Sequence, residues 1–404
     1  MLSNIKEIAA KLEPRLIEIR RHIHAHPELS GQEYKTAAYV SGVLSSCGFH
    51  VQEMVGKTGV VAELAGQESP DNDILAIRSD MDALPIAEKT TLPFTSKSPG
   101  IMHACGHDAH TTVGLGTAMV LSELAQTTQQ PFPSTTRFLF QPAEETAQGA
   151  RWMIDDGVMD NVAAILGIHT FPSIRAGVIG LRQGPLTAAA DDLEIVIEGE
   201  SGHGARPHQA VDAIWIAAQV ITQLQQSISR TINPLHPAVI TIGKISGGRA
   251  PNVIADNVTL TGTVRSLHAD THALLPGWIE RIASDICQLH GATCTVNYTR
   301  RCTSVLNNPD LTNMVAMCAT EALGRDRIEW IPDASMGAED FANYTDLVPG
   351  TMFRLGVGYE DKHNHPLHHA EFEIDETALL SGVITMAYSA YTYWQKIHPQ
   401  KSIR

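Results

Sequence analysis

Apolar side chains recur at Ile5, Ile8, Leu12, Leu16 and Ile19, a spacing that lines one face of a helix. Charges fill the positions between them throughout "MLSNIKEIAAKLEPRLIEIRRHIHAHPELS", so this segment reads as an amphipathic helix and not as a signal peptide. Three short apolar runs then predict buried strands: "DILAIRSD" (73–80), the first part of "TRFLFQPAEE" (136–145), and "AAILGIHT" (163–170). Each run ends in acidic or metal-capable side chains. Helical patterns separate them, which predicts an α/β unit with a parallel or mixed sheet under covering helices. Sheets of that kind bind ligands beyond the C-terminal ends of their strands. The polar run "AQTTQQPFPSTT" (125–136) predicts a surface loop between a helix and a strand.

The pattern changes near residue 190. "DLEIVIEG" alternates as a strand, and "AVDAIWIAAQVITQLQQSISR" has helical spacing. Two strands follow, "AVITIGKISGG" and "NVTLTGTVRSL", then the helix "ALLPGWIERIASDICQLHG" and the strand "TCTVNYTRR". This β-α-β-β-α-β order is that of a ferredoxin-like unit. The strand "GTMFRLGVG" (350–358) and the helix "ETALLSGVITMAYSAYTYWQ" (376–395) resume the first style. The pattern therefore predicts a discontinuous domain, 1–188 with 301–404, interrupted by an inserted domain at 189–300.

A length of 404 residues suits about two such domains. With 29 basic against 44 acidic residues the net charge is −15, which argues against phosphate-based binding of nucleic acid. No stretch reaches the ~20 apolar residues needed to span a bilayer. The six cysteines form no CxxC, which points to reduced thiols and a cytoplasmic setting.

The densest chemistry is "MHACGHDAH" (102–110). Cys105 and His107 lie two apart, just before a helical pattern, and a helix N-terminus favours thiolate. Thiolate with imidazole suits zinc, while carboxylate with imidazole also accepts manganese. Glu144 and Glu145 follow a strand, and in extended chain they would point to opposite sides. His169 ends the next strand, and "HNHPLHHAEF" (363–372) adds four histidines. A surface loop would explain any one of these segments, but a shared metal site explains all of them. A cysteine hydrolase, with Cys105 as nucleophile and His107 or His110 as base, leaves the glutamate pair unused. A non-catalytic metal-binding protein has no need of Glu144 beside a ligand.

The segments "RRHIHAHPELSGQE", "MDALPI", "MHACGHDAHTT", "FQPAEE", "GIHT", "GHGARPH", "APNVIAD", "MGAEDF" and "PLHH" occur in this order. As a set they resemble the aminoacylase/carboxypeptidase family of di-metal amidohydrolases over nearly the whole chain. That family includes N-acyl-amino-acid amidohydrolases, hippurate hydrolases and indole-acetyl-amino-acid hydrolases. The resemblance implies a phosphorylase/hydrolase-like mixed-sheet catalytic domain and a ferredoxin-like α+β insert acting as lid and dimerisation domain. It implies two divalent metal ions, zinc or manganese, held by Cys105, His107, Glu145, His169 and His368. Glu144 matches the general base, and Asp82 the acid that orients a ligand imidazole. His203 matches the lid histidine that supplies a donor to the oxyanion, often across a homodimer. Asn252 and Arg265 match substrate-binding positions, the arginine suited to a carboxylate by its bidentate geometry. Met336, Gly337 and Glu339 fall on a loop near the pocket, and His24, His103, His110 and His208 belong to the motifs as supporting residues. Thr146 departs from the glycine often found after the glutamate pair. The implied reaction is amide hydrolysis of an N-acyl amino acid, with a metal-dependent carboxypeptidase or dipeptidase as the neighbouring alternative.

Overall fold

The three apolar runs become neighbouring strands in the computed structural model, which describes residues 1–66, 74–128, 132 and 134–397. The chain divides into two compact units, Met1–Gly184 with Leu306–Asp333 and Asp340–Arg404, and Pro185–Val305 with Ala334–Glu339.

The first unit holds an eight-stranded sheet. Its strands are β1 (His50–Val55), β2 (Gly59–Leu64), β3 (Ile74–Asp80), β4 (Thr136–Gln141), β5 (Val162–Arg175), β6 (Ile179–Leu181), β7 (Ile328–Trp330) and β8 (Gly350–Gly358). Their order is β1-β2-β4-β3-β5-β8-β6-β7. The central four, β4, β3, β5 and β8, run parallel, while β1 and β2 add an antiparallel margin. Parallel strands are covered on both faces, which is why β3 and β8 read as continuous apolar runs instead of alternating ones.

Helices α1 (Leu2–Ala25), α2 (His107–Thr128) and α3 (Ala378–Ile397) pack with the sheet in one core that includes Ile5, Leu16, Leu115, Ile77, Ile168, Phe353 and Val383. The α1 stripe read from the sequence is the face that is buried. α2 is a helix with almost no exposed face, and two glycines let it sit that close. A Cβ on Gly114 would lie 2.5 Å from Ser79 Oγ on β3, and one on Gly116 would lie 2.6 Å from both Leu16 on α1 and Val383 on α3. α2 carries the chain from β3 to β4 on one side, and the chain then returns to β5 on the other side of β3. The N-terminus of α2 therefore opens at a topological switch point, where a parallel sheet leaves a crevice.

Two polar residues of α1 face the same core. Arg20 Nε donates to Asp108 Oδ2 at 2.8 Å, His24 Nδ1 lies 2.8 Å from the same oxygen, and His24 Nε2 lies 3.1 Å from Glu88. Arg20 also reaches Glu376 at 3.2 Å. The side chains of Arg20 and Asp108 are only 2% and 1% exposed, so removing one charge strands the other in the core. Asp108→Asn is expected to cost about 3–5 kcal/mol, read as a lower midpoint of urea unfolding. A loss below about 1 kcal/mol would mean that the pair is solvated by other groups.

The second unit has its own core around Leu193, Ile195, Ile216, Val220, Leu260, Leu275 and Ile279. Its four antiparallel strands lie in the order Ala238–Gly247, Asn257–Ser266, Ala189–Glu198 and Thr293–Cys302, with helices Ala213–Thr231 and Ala269–Leu289. Along the chain this is β-α-β-β-α-β. Asp212 caps the first helix by accepting from the N–H groups of Ile214 and Trp215 at 3.1 and 3.2 Å. Of the polar run at 125–136, residues 129–131 and 133 lie outside the described residues. Among the described residues no helix is long and apolar enough to cross a membrane.

Candidate metal centre

The candidate centre gathers residues from loops that follow the central strands, together with His169, which lies inside β5 (Val162–Arg175) and does not end it as the apolar run predicted, because the strand continues along β8 past that point. The loop before α2 presents Cys105 and His107 on either side of Gly106, whose φ of +85° favours glycine. A Cβ there would also meet Thr170 Oγ1 at 2.3 Å. The loop lies against β5, and Cys105 Sγ is 3.7 Å from His169 Nε2.

Glu144 and Glu145 do not continue an extended strand. They form a turn between Ala143 and Ala147, both at φ +52°, and both carboxylates approach His107 Nε2, at 3.8 and 3.7 Å. The expectation of opposite directions therefore fails, because the turn replaces the two-residue alternation of a strand. Asp82 holds this turn: its carboxylate accepts from Glu144 N at 3.1 Å, Glu145 N at 3.0 Å and Ser30 Oγ at 2.6 Å. The fifth candidate, His368, has φ +65° and is anchored by its N–H to Ala104 O at 2.8 Å. Its Nε2 is 3.5 Å from Glu145 Oε2. Of six non-glycine residues with positive φ among the described residues, Ala143, Ala147 and His368 thus border one small volume, at a cost of about 1–3 kcal/mol each.

Hydrogen bonds fix which imidazole nitrogens face that volume. His107 Nδ1 donates to the Asp82 carbonyl at 2.9 Å, and His169 Nδ1 donates to the Thr170 carbonyl at 2.8 Å. A carbonyl only accepts, so Nδ1 carries the proton and Nε2 of each neutral ring offers a lone pair. His107 Nε2 and Glu145 Oε1 are buried with no hydrogen-bond partner. His110 differs. Its Nε2 accepts from Thr170 N at 2.7 Å and its Nδ1 donates to Asp80 at 2.6 Å, so neither nitrogen is left for a ligand. His103 is buried with both ring nitrogens unpartnered, and burial pulls its pKa down to about 4.

The electrostatics call for positive charge. Burial opposes protonation of His107, yet Asp80, Asp82 and Glu145 carry its pKa up to about 10. Burial raises Glu145 to about 7 against the pull of His107. Burial and then Glu145, Glu144 and Asp80 hold the Cys105 thiol well above its ordinary range, while burial and then His110 hold His169 well below its own. The expectation that the helix N-terminus favours a Cys105 thiolate is corrected: three nearby carboxylates and the loss of solvent outweigh the helix dipole. Divalent cations reverse that balance by pairing with the same donors. Among the donor sets small enough to hold an ion, within 4.8 Å of one another, are Cys105, His107 and His169; Cys105, Glu145 and His368; and His107, Glu144 and Glu145. The first two share Cys105.

Asp80 and Asp340 were not singled out from the sequence. Arg78 bridges them, donating to both, and Gln141 Nε2 donates to Asp340 at 2.8 Å. Asp340 also accepts from Ala150 N at 3.0 Å, just beyond the glutamate turn. Asp80 is the acidic residue that closes "DILAIRSD", whereas the only sequence signal for Asp340 was an acidic residue inside "MGAEDF". The remaining candidates lie in the second unit. His203 pairs with Val253 between two short strands, and Gly204 N donates to Asn252 O at 2.8 Å, so His203 and Asn252 are neighbours. His203 Nδ1 accepts from Ala205 N, which leaves Nε2–H as a donor. Arg265 Nη1 donates to the Met336 carbonyl at 3.2 Å, and Gly337 O accepts from Ala188 N. His208 lies exposed in a short 3₁₀ turn, and His24 belongs to the Arg20–Asp108 network.

The sequence pattern of peptidase family M20/M25/M40 matches residues 76–391. A probable hydrolase of Synechocystis sp. is 62% identical over 394 residues, covering 97% of this chain and 99% of that protein. An N-acetyl-L-cysteine deacetylase of Bacillus subtilis is 39% identical over 380 residues, covering 94% and 88%. Among solved structures, the YXEP protein of Bacillus subtilis, a dinuclear metal binding peptidase of the M20 family, superposes with a TM-score of 0.82 at 36% identity, covering 96% and 99%.

Proposed function

The chain belongs to peptidase family M20/M25/M40, and from that premise we propose that it is an amidohydrolase releasing amino acids from N-acyl amino acids. It is a metal-dependent amide hydrolase. The observation that carries the metal chemistry is the pair of donor sets meeting at Cys105, which suits two adjacent ions, and the likeness to an N-acetyl-L-cysteine deacetylase supports the N-acyl reading. Cys105, His107 and His169 would hold one, and Cys105, Glu145 and His368 the other, with zinc favoured by thiolate and imidazole and manganese accepted. Such a pair supplies an acidified water, its pKa lowered from ~16 to about 7, and Lewis-acid polarisation of the scissile carbonyl.

The chain's own residues do the rest. Glu144, outside the two sets that share Cys105, takes the proton of the attacking water and passes it to the leaving nitrogen. Asp82 fixes the His107 ring and the backbone of both glutamates. The first unit is the catalytic domain and the second the lid and dimerisation domain. In it His203 Nε2–H is the donor for the oxyanion, and Arg265, with Asn252, Met336 and Gly337 around it, receives the substrate's carboxylate. The six free cysteines suit the cytoplasm.

One contact favours a second reading. Cys105 Sγ and His169 Nε2 are 3.7 Å apart, the spacing of a nucleophile and its base. Against it, the thiol is held up and the imidazole down, the reverse of a thiolate–imidazolium pair. The function is tested with a panel of N-acetyl, N-benzoyl and indole-acetyl amino acids beside dipeptides and carboxypeptidase substrates. N-acyl amino acids are expected to lead in kcat/KM by about tenfold or more. A lead for the peptides would make the chain a carboxypeptidase or dipeptidase.

A further inference from the structure

Three arginines are buried among the described residues: Arg20, Arg78 and Arg354. Arg20 is paired with Asp108, and Arg78 with Asp80 and Asp340. Arg354 has no carboxylate partner among the described residues. It interrupts β8, a strand buried at all nine positions, and is 7% exposed. Its guanidinium lies over the Phe171 ring, 4.0 Å from the centroid. Burial, and after it the neighbouring positive charge of Arg182, pull its pKa down to about 10, and no carboxylate offsets them. A buried charge without a counter-ion is destabilising, so a strand that keeps one has an unmet demand for an anion.

The register says where that anion would lie. β8 runs parallel to β5 with Arg354 opposite His169 and Gly356 opposite Phe171. Residues paired across neighbouring strands leave the same face of the sheet, about 4.8 Å apart. Phe353, Leu355 and Ile168 point the other way, into the helix-covered core. Arg354 therefore shares a face with His169, one strand away from the candidate metal centre.

We infer that Arg354 receives a carboxylate of the substrate beside that centre. The inference rests on the function proposed above. A guanidinium matches a carboxylate with two parallel hydrogen bonds, and its stack on Phe171 holds the fork in one plane. The carboxylate has three sources: the α-carboxylate, which Arg354 would then take in place of Arg265, an acidic amino-acid side chain, or an acidic acyl group.

The experiment compares metal-loaded wild type, Arg354→Met and Arg354→Lys on N-acetyl-methionine, N-acetyl-glutamate, N-acetyl-glutamine and N-succinyl-methionine. Arg354→Met is expected to raise KM about thirtyfold or more with kcat much less affected, and Arg354→Lys to recover part of the loss. A loss on all four substrates assigns the α-carboxylate. A loss on N-acetyl-glutamate but not on N-acetyl-glutamine assigns the side chain, and a loss confined to N-succinyl-methionine assigns the acyl group. KM unchanged on all four, with only kcat or thermal stability lowered, would overturn the inference and leave Arg354 a structural stack on Phe171. If wild type hydrolyses none of the four, the proposed function fails and takes this assignment with it.

Discussion

Glu144→Gln is expected to leave metal content unchanged and to lower kcat by about 10²–10⁴-fold. The substitution keeps the size of the side chain and the backbone N–H that Asp82 accepts. It removes only the ability to take up a proton. Glu144 is 8% exposed, and its carboxylate stands 3.8 Å from His107 Nε2, outside the two sets that share Cys105 although it also groups with His107 and Glu145. Glu145→Gln makes the contrast, because Glu145 belongs to a donor set, and that variant is expected to lose metal along with activity. Elemental analysis of both proteins, read beside kcat, separates the roles. A Glu144→Gln enzyme within about tenfold of wild type would move the base elsewhere.

Stripping the protein with a chelator is expected to abolish turnover, and zinc or manganese to restore it. Refilling also has a proton signature. At pH 8 and without metal, His107, at about 10, and the Cys105 thiol both hold protons, while Glu145, at about 7, is ionised. A metal ion takes the place of those protons, so the ligands release about two per chain at pH 8, and the acidified water adds about one more. Below pH 7 the ligand share rises as Glu145 also starts protonated while the water's share falls, and above pH 10 the ligand share falls as His107 loses its proton beforehand. An indicator dye in weak buffer reads the count. Release of none at pH 8 would exclude Cys105 and His107 as ligands. Full activity after stripping, abolished by thiol alkylation, would revive the cysteine nucleophile.

Local order along the chain was legible wherever one periodicity held. The Ile5–Ile19 stripe, the runs that became β3, β4, β5 and β8, and the β-α-β-β-α-β order of the second unit each follow from spacing alone. So does the placing of donors beyond the strands that became β3 and β4, because a parallel sheet binds ligands at those ends, whereas His169 lies inside β5 and not at its end. The failures share a cause. The glutamate pair was read as extended chain, but Ala143 and Ala147 adopt positive φ, which no alanine signals in a sequence. Cys105 was read through the helix behind it, when the groups that set its charge come from residues 80, 144 and 145.

The sequence by itself determined which residue types are present and in what order they leave the strands, because those depend on neighbours along the chain. Only the tertiary structure decided which imidazole nitrogens are free, that both glutamates turn to one histidine, and that among the described residues Arg354 alone of the buried arginines has no carboxylate partner. Hydrogen bonding and charge act across a few ångströms of space, and here they join residues separated by tens to hundreds of positions in sequence.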